Sequence, residues 1–154
     1  MGRFASGVTI ITVAGAAGQM HGMTANAFTS VSLDPLLVLV CVDGRARTHP
    51  LIHARGRFGV NVLAEGQQAV AEYYARTTED HETAHRLGLR CWQTERGTPL
   101  LEDCLAYLEC RVISTHEQGD HTVFIGAVEQ VGVREGRPLL FYAGQYRRLE
   151  PAKA

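Results

Sequence analysis

The amino-acid sequence predicts a mainly β protein, an antiparallel and closed or partly closed β-barrel with a few short helices at its ends. Three observations support this fold class. About seven short segments have strand composition, only two have helical spacing, and their connections suit antiparallel pairing. Regular alternation of strands with long helices is missing, as are the motifs GxGxxG and GxxxxGKS/T, so nothing indicates a Rossmann or P-loop fold.

Size and composition indicate one domain over residues 1–154. The chain is 45% hydrophobic and 20% charged, which is typical of a globular domain with a single core. Its longest apolar run, residues 36–42, is too short to cross a membrane, and its first residues do not resemble a secretory signal. We therefore expect a cytoplasmic protein.

The charge balance limits the partners. A net charge of −1 argues against a general nucleic-acid binder, so any bound anion should be small. Lys153 is the only lysine. A phosphate group would therefore be held by arginines, hydroxyl groups and backbone N–H groups.

Cysteine and histidine spacing predicts neither disulfides nor a metal site. The four cysteines form no CxxC pair, and we expect plain buried thiols. Two histidine pairs, His49/His53 and His81/His85, have the i,i+4 spacing of metal ligands, but no motif supplies a third ligand.

The first forty residues predict a hairpin and a buried strand. Residues 7–13 are β-branched at nearly every position, which suits a strand buried on both faces. Two glycines within residues 14–18 indicate a turn, after which a strand over residues 20–26 returns antiparallel. Behind Pro35, residues 36–42 have the composition of a central buried strand.

A short helix and a further strand follow. Thr48 is predicted to cap a helix over residues 49–54, and Gly56 to end it. Residues 57–63 alternate, with Phe58 and its i+2 neighbours on one side, and therefore predict a half-buried strand.

A second helix precedes a polar stretch. Helical spacing of apolar side chains predicts an amphipathic helix over residues 67–75. Residues 76–90 are rich in His, Glu and Thr, and we expect a mobile excursion with one helical turn.

The last third of the chain predicts a long hairpin and a final strand. Residues 106–113 and 122–128 have strand patterns, and the polar residues 114–120 are expected to connect them as a loop. Residues 138–142 form the last predicted strand, and the tail after Glu150 should fray.

Three polar segments are candidates for chemistry. Residues 22–32 carry neutral hydroxyl and amide groups that suit a planar heterocycle, or that simply form turns. Residues 43–48 combine two arginines, a threonine and a helix start, as a phosphate site would, although a solvated turn has the same composition. Residues 119–121, Gly-Asp-His, are an exposed turn or a nucleotide-binding element.

The order of these segments resembles the short-chain flavin reductases, the reductase components of two-component flavin-dependent monooxygenases. Five segments carry the resemblance: residues 3–9, 22–35, 58–67, 119–121 and 140–147. The resemblance implies an antiparallel Greek-key split β-barrel that binds flavin, FMN or FAD, and uses NADH or NADPH as co-substrate. It also implies a homodimer with flavin near the subunit interface and a separate monooxygenase that receives the reduced flavin.

The resemblance also assigns site residues. His121 would lie beside the nicotinamide and act in catalysis. Thr24 and Asn26 would orient the isoalloxazine, and the strand end after Cys41 would meet the ribityl phosphate. The residues assigned to cofactor binding are Thr24, Ala25, Asn26, Ala27, Ser30, Val31, Ser32, Cys41, Val42, Asp43, Arg45, Arg47, Thr48, Gly119, Asp120, His121, Tyr146 and Arg147.

Two competing functions use related barrels. One is a flavin-binding or storage protein without turnover, in which a Gly-Asp-His nucleotide motif would have no use. The other is an enzyme like pyridoxamine-phosphate oxidase, which would need a richer basic site than Arg45 and Arg47 provide.

Related reductases usually carry a helical segment before the part that resembles residues 3–9, so the natural start is expected upstream of Met1.

Overall fold

The computed structural model describes residues 2–76 and 85–150 of the chain. Within these residues the fold is mainly β, as predicted, with two short α-helices. The strands are β1 (Ser6–Gly7), β2 (Thr9–Ala14), β3 (Met20–Ala25), β4 (Phe28–Leu33), β5 (Leu36–Asp43), β6 (Arg57–Val62), β7 (Cys91–Gln93), β8 (Pro99–Leu101), β9 (Ala106–Gln118), β10 (His121–Val133), β11 (Leu139–Tyr142) and β12 (Gln145–Arg148). The helices are α1 (Thr48–Arg55) and α2 (Gln68–Tyr74), the latter preceded by a 3₁₀ turn over Glu65–Gln67.

A seven-stranded antiparallel sheet forms the barrel, in the order β3-β2-β6-β9-β10-β5-β4. Its two end strands, β3 and β4, are consecutive in the chain and are joined by Asn26 and Ala27 alone. The sheet therefore curls so that the ends of β3 and β4 are held close together at this joint, and the backbone N–H of Cys41 on β5 donates to the carbonyl of Ala27 at 3.0 Å, which extends the β4–β5 pairing into the joint. We call this two-residue joint the seam.

Smaller elements surround the barrel. β1, β11 and β12 form one sheet, and β7 pairs with β8 in another. Helix α1 ends at Gly56, as predicted, where a left-handed backbone (φ 63°) lets its N–H donate to the carbonyl of Ile52. No helix within residues 2–76 and 85–150 combines the length and apolar character needed to cross a membrane.

Strand β2 separates two apolar clusters. Ile11 and Val13 point into the barrel, where they join Phe58 and Phe124. Ile10 belongs to the second cluster, which lies between the sheet and α2. The predicted burial of this strand on both faces is thus confirmed, because the β-branched side chains of its two faces enter different clusters.

The connection in the long hairpin differs from the prediction. β9 and β10 pair from Gln118↔His121 to Ala106↔Val133, so only Gly119 and Asp120 connect them, and the predicted loop over residues 114–120 is wrong. Ladder hydrogen bonds are made by the backbone, which pairs whether or not the side chains are apolar. The polar side chains here mark an exposed part of the strands.

The predicted strand over residues 57–63 is confirmed, but it is not half-buried. Gly59 and Asn61 are buried along with Phe58. Asn61 Nδ2 donates to the carbonyl of Ile10 at 2.9 Å, and its Oδ1 accepts the N–H of Leu101 at 2.8 Å. The second cluster covers the face that the alternation had assigned to solvent.

Two further expectations need correction. The described residues form twelve strands and not seven: β1, β4, β7, β8 and β12 were not predicted as separate strands, because four of them have four residues or fewer and half of the residues of β4 are polar. Cys91 is exposed, although Cys104 and Cys110 are buried and burial raises the pKa of the Cys110 thiol to about 12. Most of the predicted excursion over residues 76–90, with His81, and the tail after Glu150 lie outside the described residues.

Candidate functional site

A cavity of about 500 Å³ opens beside the seam. We call it the seam cavity. Its walls come from β3, from the loop between β5 and α1, and from the end of α2, three elements far apart in the sequence. The lining residues are Gly22, Met23, Thr24, Asp43, Arg45, Ala46, Arg47, Thr48, Tyr74, Ala75 and Arg76.

The loop after β5 is organised by Asp43. Its Oδ1 accepts the backbone N–H of Arg45 at 2.8 Å and the Nε of the same residue at 3.1 Å, and its Oδ2 accepts Nη2 at 2.8 Å. These hydrogen bonds lower the pKa of Asp43 well below its usual range. The charge of Arg45 is therefore already balanced within the chain.

Thr48 does not cap α1 as predicted. Arg47 occupies the N-cap position and makes no side-chain capping bond. Thr48 is 1% exposed, and its Oγ1 has no hydrogen-bond partner although the residue lines the seam cavity. A buried hydroxyl without a partner costs free energy, and here it lies at a helix start, where N–H groups attract anions.

The guanidinium groups of Arg47 and Arg76 make no ion pair or side-chain hydrogen bond with the described parts of the chain. Both side chains are exposed at the seam cavity. Together with the α1 N-terminus they give the cavity an uncompensated positive charge. This charge suits a phosphorylated ligand.

The wall formed by β3 is held against α2. Thr24 Oγ1 donates to the carbonyl of Ala71 at 2.6 Å, which fixes the strand on the helix. A Cβ on Gly22 would lie 2.6 Å from the ring of Tyr74, so the glycine lets this ring pack directly on the strand. The result is a neutral wall with an aromatic edge, which suits a planar heterocycle.

The Gly-Asp-His turn adjoins the same loop. The N–H of Gly44 donates to the carbonyl of Asp120 at 2.9 Å, and His121 is the register partner of Asp43 on β5. His121 Nδ1 lies 2.7 Å from Asp120 Oδ1, and this contact lowers the pKa of Asp120. The fold thus brings the second and third polar segments of the sequence together.

Other assigned residues lie outside the lining of the seam cavity. Ala25 and Val42 are buried in the barrel core. Tyr146 packs against Phe141 near the second cluster, and Arg147 contacts Gln145. The remaining ones lie along the joint and the β4–β5 edge: Asn26, Ala27, Ser30, Val31, Ser32 and Cys41.

Sequence reasoning missed Tyr74, Ala75 and Arg76. The helical spacing places Tyr74 and Ala75 on the apolar face of the predicted helix, and Arg76 begins the predicted polar stretch. Only the packing of α2 on β3 brings this helix end to the cavity. The one available signal was a cation two residues after a helix that ends in two tyrosines.

The predicted absence of a metal site is not tested by the structure, but the histidines near α1 have structural contacts. His49 and His53 stack edge to face on Phe124, and His49 Nε2 lies 2.9 Å from Thr122 Oγ1. Across residues 2–76 and 85–150, no group of three His, Cys, Asp or Glu side chains is arranged to hold a metal ion. His81, the first residue of the other pair, lies outside these residues.

Known proteins resemble this chain over nearly its whole length. The sequence pattern of the family described as flavin reductase like domain matches residues 1–150. An NADH-dependent flavin reductase from a Rhodococcus species is 45% identical over 152 residues, covering 97% of this chain and 83% of that protein. HsaB of Mycobacterium tuberculosis, the reductase subunit of a flavin-dependent monooxygenase, is 39% identical over 161 residues, covering 99% of this chain and 81% of that protein.

A solved structure is similar as well. The NADH:FAD oxidoreductase SgcE6 of Streptomyces globisporus, in complex with NAD and FAD fragments, superposes with a TM-score of 0.85 at 39% identity. The match covers 97% of this chain and 88% of that one.

Proposed function

The chain belongs to the flavin reductase like domain family, and from this premise we propose how its seam cavity serves the family's reaction. The protein is an NAD(P)H-dependent flavin oxidoreductase that reduces FMN or FAD and supplies the reduced flavin to a separate monooxygenase. The observation that carries this function is near-full-length relatedness to NADH-dependent flavin reductases.

The residues of the seam cavity fit a flavin. The unpartnered hydroxyl of Thr48, the N-terminus of α1 and the guanidinium of Arg47 are donors for the ribityl phosphate. Thr24 keeps lone pairs for a ring N–H, since its own hydrogen is donated to Ala71. When bound, the flavin supplies the redox chemistry by accepting a hydride from the nicotinamide.

Asn26 and Ala27 would border the same ring from the seam. They form the joint between β3 and β4 and are exposed. The carbonyl of Ala27 accepts the N–H of Cys41, which lies near the end of β5, just before the loop proposed to bind the phosphate. Because the joint has only two residues, its backbone is held in one place. We therefore assign it to ring positioning.

His121 would position the nicotinamide nucleotide. Asp120 accepts from Nδ1, which favours the tautomer whose Nε2 is free to accept and keeps the imidazole in one orientation. The ring is about half exposed beside the loop that holds the phosphate. The chain has to orient two cofactors and control water, and these tasks need no strong acid or base.

We propose that the protein is a homodimer. Leu33 is 84% exposed and Leu36 is 39% exposed, and the two are register partners at the end of the β4–β5 hairpin. Apolar side chains exposed to this degree on neighbouring strands mark an interaction surface. Light scattering of the wild type and of Leu33→Asp would test this, since a monomeric wild type contradicts it.

We also place the protein in the cytoplasm. Its four cysteines are free thiols, which suits a reducing compartment, and its co-substrate is a reduced nicotinamide nucleotide. Fractionation of cells that express the untagged chain checks this location.

One assay tests the enzymatic function. NADH or NADPH oxidation is followed by the nucleotide's absorbance with riboflavin, FMN and FAD added in turn. The reductase function requires oxidation that depends on flavin. Flavin binding without nucleotide oxidation would instead indicate a storage protein.

A further inference from the structure

The proposed phosphate site uses Arg47 and Thr48 but not Arg76, which also lines the seam cavity. Arg76 follows the last turn of α2 and lines the cavity with an exposed side chain. We propose that Arg76 binds the second phosphate of a dinucleotide flavin, so that the cavity takes FAD in preference to FMN. This inference rests on the proposed flavin reductase function.

Arg76 lies on a different element from Arg47 and Thr48, the residues proposed to bind the first phosphate. Arg47 and Thr48 stand at the start of α1, whereas Arg76 stands at the end of α2, and both helices contact β3. The two guanidinium groups therefore lie on different walls of one cavity. A single terminal phosphate held by Arg47 and Thr48 would leave Arg76 without an anionic partner among the residues that the structure describes.

The charges of the arginines that line the cavity favour a ligand with two phosphate groups. Arg45 is balanced by Asp43, so Arg47 and Arg76 carry the charge that the described residues leave uncompensated. FAD carries two linked phosphates with about one negative charge each, and each can accept a guanidinium fork. Two separated arginines match that arrangement better than the single phosphate of FMN does.

The helix end makes a guanidinium necessary on this wall. The C-terminus of a helix carries partial negative charge, so α2 itself would repel a phosphate there. A fixed cation has to offset that charge. The alternative role for Arg76, stabilising the end of α2, predicts a change in stability without a change in flavin preference.

The other source of a diphosphate is the nicotinamide nucleotide. Its linkage has the same chemistry as that of FAD, so the experiment must separate the two ligands. Flavin affinity is measured by fluorescence quenching without nucleotide, and the KM for NADH is measured separately at saturating riboflavin, which has no phosphate.

The test compares four variants with riboflavin, FMN and FAD. Arg47→Ala should weaken FMN and FAD alike by about tenfold relative to riboflavin, as expected for a charge-assisted contact. Arg76→Ala should weaken FAD alone by about tenfold, and Arg76→Lys should recover part of the loss. Arg134→Ala, at an exposed arginine paired with Asp103 away from the cavity, is the control and should change none of the affinities.

Three results would overturn the inference. They are equal weakening of FMN and FAD by Arg76→Ala, a raised KM for NADH at unchanged FAD affinity, and a loss of stability alone. Failure of the reductase function looks different, since the wild type would then bind flavins without oxidising NADH. The FAD-to-FMN affinity ratio would still be measured in that case.

Discussion

The two ends of helix α1 open into two cavities lined by arginines, and they treat those arginines differently. At its C-terminal end lies a cavity of about 430 Å³, here the distal cavity, whose lining includes Arg55, Arg57 and Arg96. At its N-terminal end lies the seam cavity with Arg45, Arg47 and Arg76. Eight helical residues, about 12 Å, separate the two ends.

Every arginine of the distal cavity has a partner in the chain. Arg55 donates to the carbonyls of Ala14 and Gly15 and fixes the turn between β2 and β3. Arg57 pairs with Glu109 and Glu129, and Arg96 lies 3.5 Å from both carboxylates. Thr94 and Thr98 also donate to the fully buried Glu109.

The difference separates structural from ligand-binding arginines. In the distal cavity the carboxylates and carbonyls that hold the arginines belong to the fold, so these contacts stabilise strand packing. In the seam cavity Arg47 and Arg76 have no such partners among residues 2–76 and 85–150, which is the arrangement expected where a ligand supplies the negative charge. The number of arginines is the same at both ends, so the acids around them distinguish the two roles.

The largest effect is expected from a substitution that breaks the hydrogen-bond and ion-pair network around Glu109 in the distal cavity. Glu109→Gln removes a buried charge that Arg57 and two threonines contact, and should lower the free energy of unfolding by about 3 kcal/mol. Flavin affinity should not change. Urea denaturation measures the loss, with the exposed Glu135→Gln as control, and an equal effect of both variants would contradict a structural role for the network.

The same variant should change the dependence of stability on pH. Burial alone would raise the pKa of Glu109, but hydrogen bonds from Thr98, Thr94 and Arg57 outweigh it, so the pKa lies below its usual value. The folded state then binds fewer protons than the unfolded state. This stabilisation is present above the unfolded pKa and is lost as pH falls through the folded pKa. Denaturation at a series of acidic pH values should show a shallower loss in Glu109→Gln than in the wild type.

The next effect concerns the unpartnered hydroxyl of the seam cavity. Thr48→Val keeps the shape of the side chain but removes a donor, and should weaken FMN and FAD by about tenfold, or about 1.4 kcal/mol. Riboflavin binding should be retained. Because the hydroxyl has no partner in the chain, stability should stay level or rise; a destabilised variant with normal FMN affinity would place the hydroxyl in the fold instead.

A smaller effect is expected at the Gly-Asp-His turn. His121→Ala should raise the KM for NADH about fivefold, the loss of one contact of on the order of 1 kcal/mol, while flavin affinity stays nearly unchanged. His116→Ala on the neighbouring strand is the control. A variant that loses flavin and keeps its nucleotide KM would place the turn over the isoalloxazine.

The smallest effect is expected from a substitution that makes the seam cavity more positively charged. Asp43→Asn removes the charge that balances Arg45 but keeps an oxygen to accept the N–H of that residue, so the turn should survive. The ion pair is exposed on the Arg45 side, so FMN should bind only about twofold more tightly. Titration at low and high salt checks this gain, which should vanish at high salt. Unchanged affinity at low salt would mean that Arg45 does not reach the phosphate.

The barrel and part of the lining of the seam cavity could be predicted from the sequence. Residues 7–13 predicted β2 because β-branched side chains at nearly every position favour a strand that is buried on both faces. The loop over residues 43–48 predicted a phosphate site because arginines and a hydroxyl follow a buried strand. Both predictions depend on local pattern alone.

The rest depends on contacts that no local pattern encodes. Thr48 was predicted both to cap α1 and to belong to a phosphate site, and only the folded chain shows that its hydroxyl is buried beside the cavity without making the cap. Arg76 looked like a solvated charge until the packing of α2 on β3 brought it to the cavity. Residues 114–118 looked like a loop because polarity reports exposure, whereas strand pairing depends on the backbone.

The two-residue joint of the seam has a consequence for solubility. A free strand edge is a template on which another chain can add a strand and start aggregation. Asn26 and Ala27 hold the two edges of the main sheet within about 11 Å of each other at one end, which leaves little room there for an incoming strand. Further along β4, an irregularity between Ser30 and Ser32 interrupts its regular pairing with β5. A bulged edge is a poor template, so the joint and the bulge together protect the sheet from edge-to-edge association.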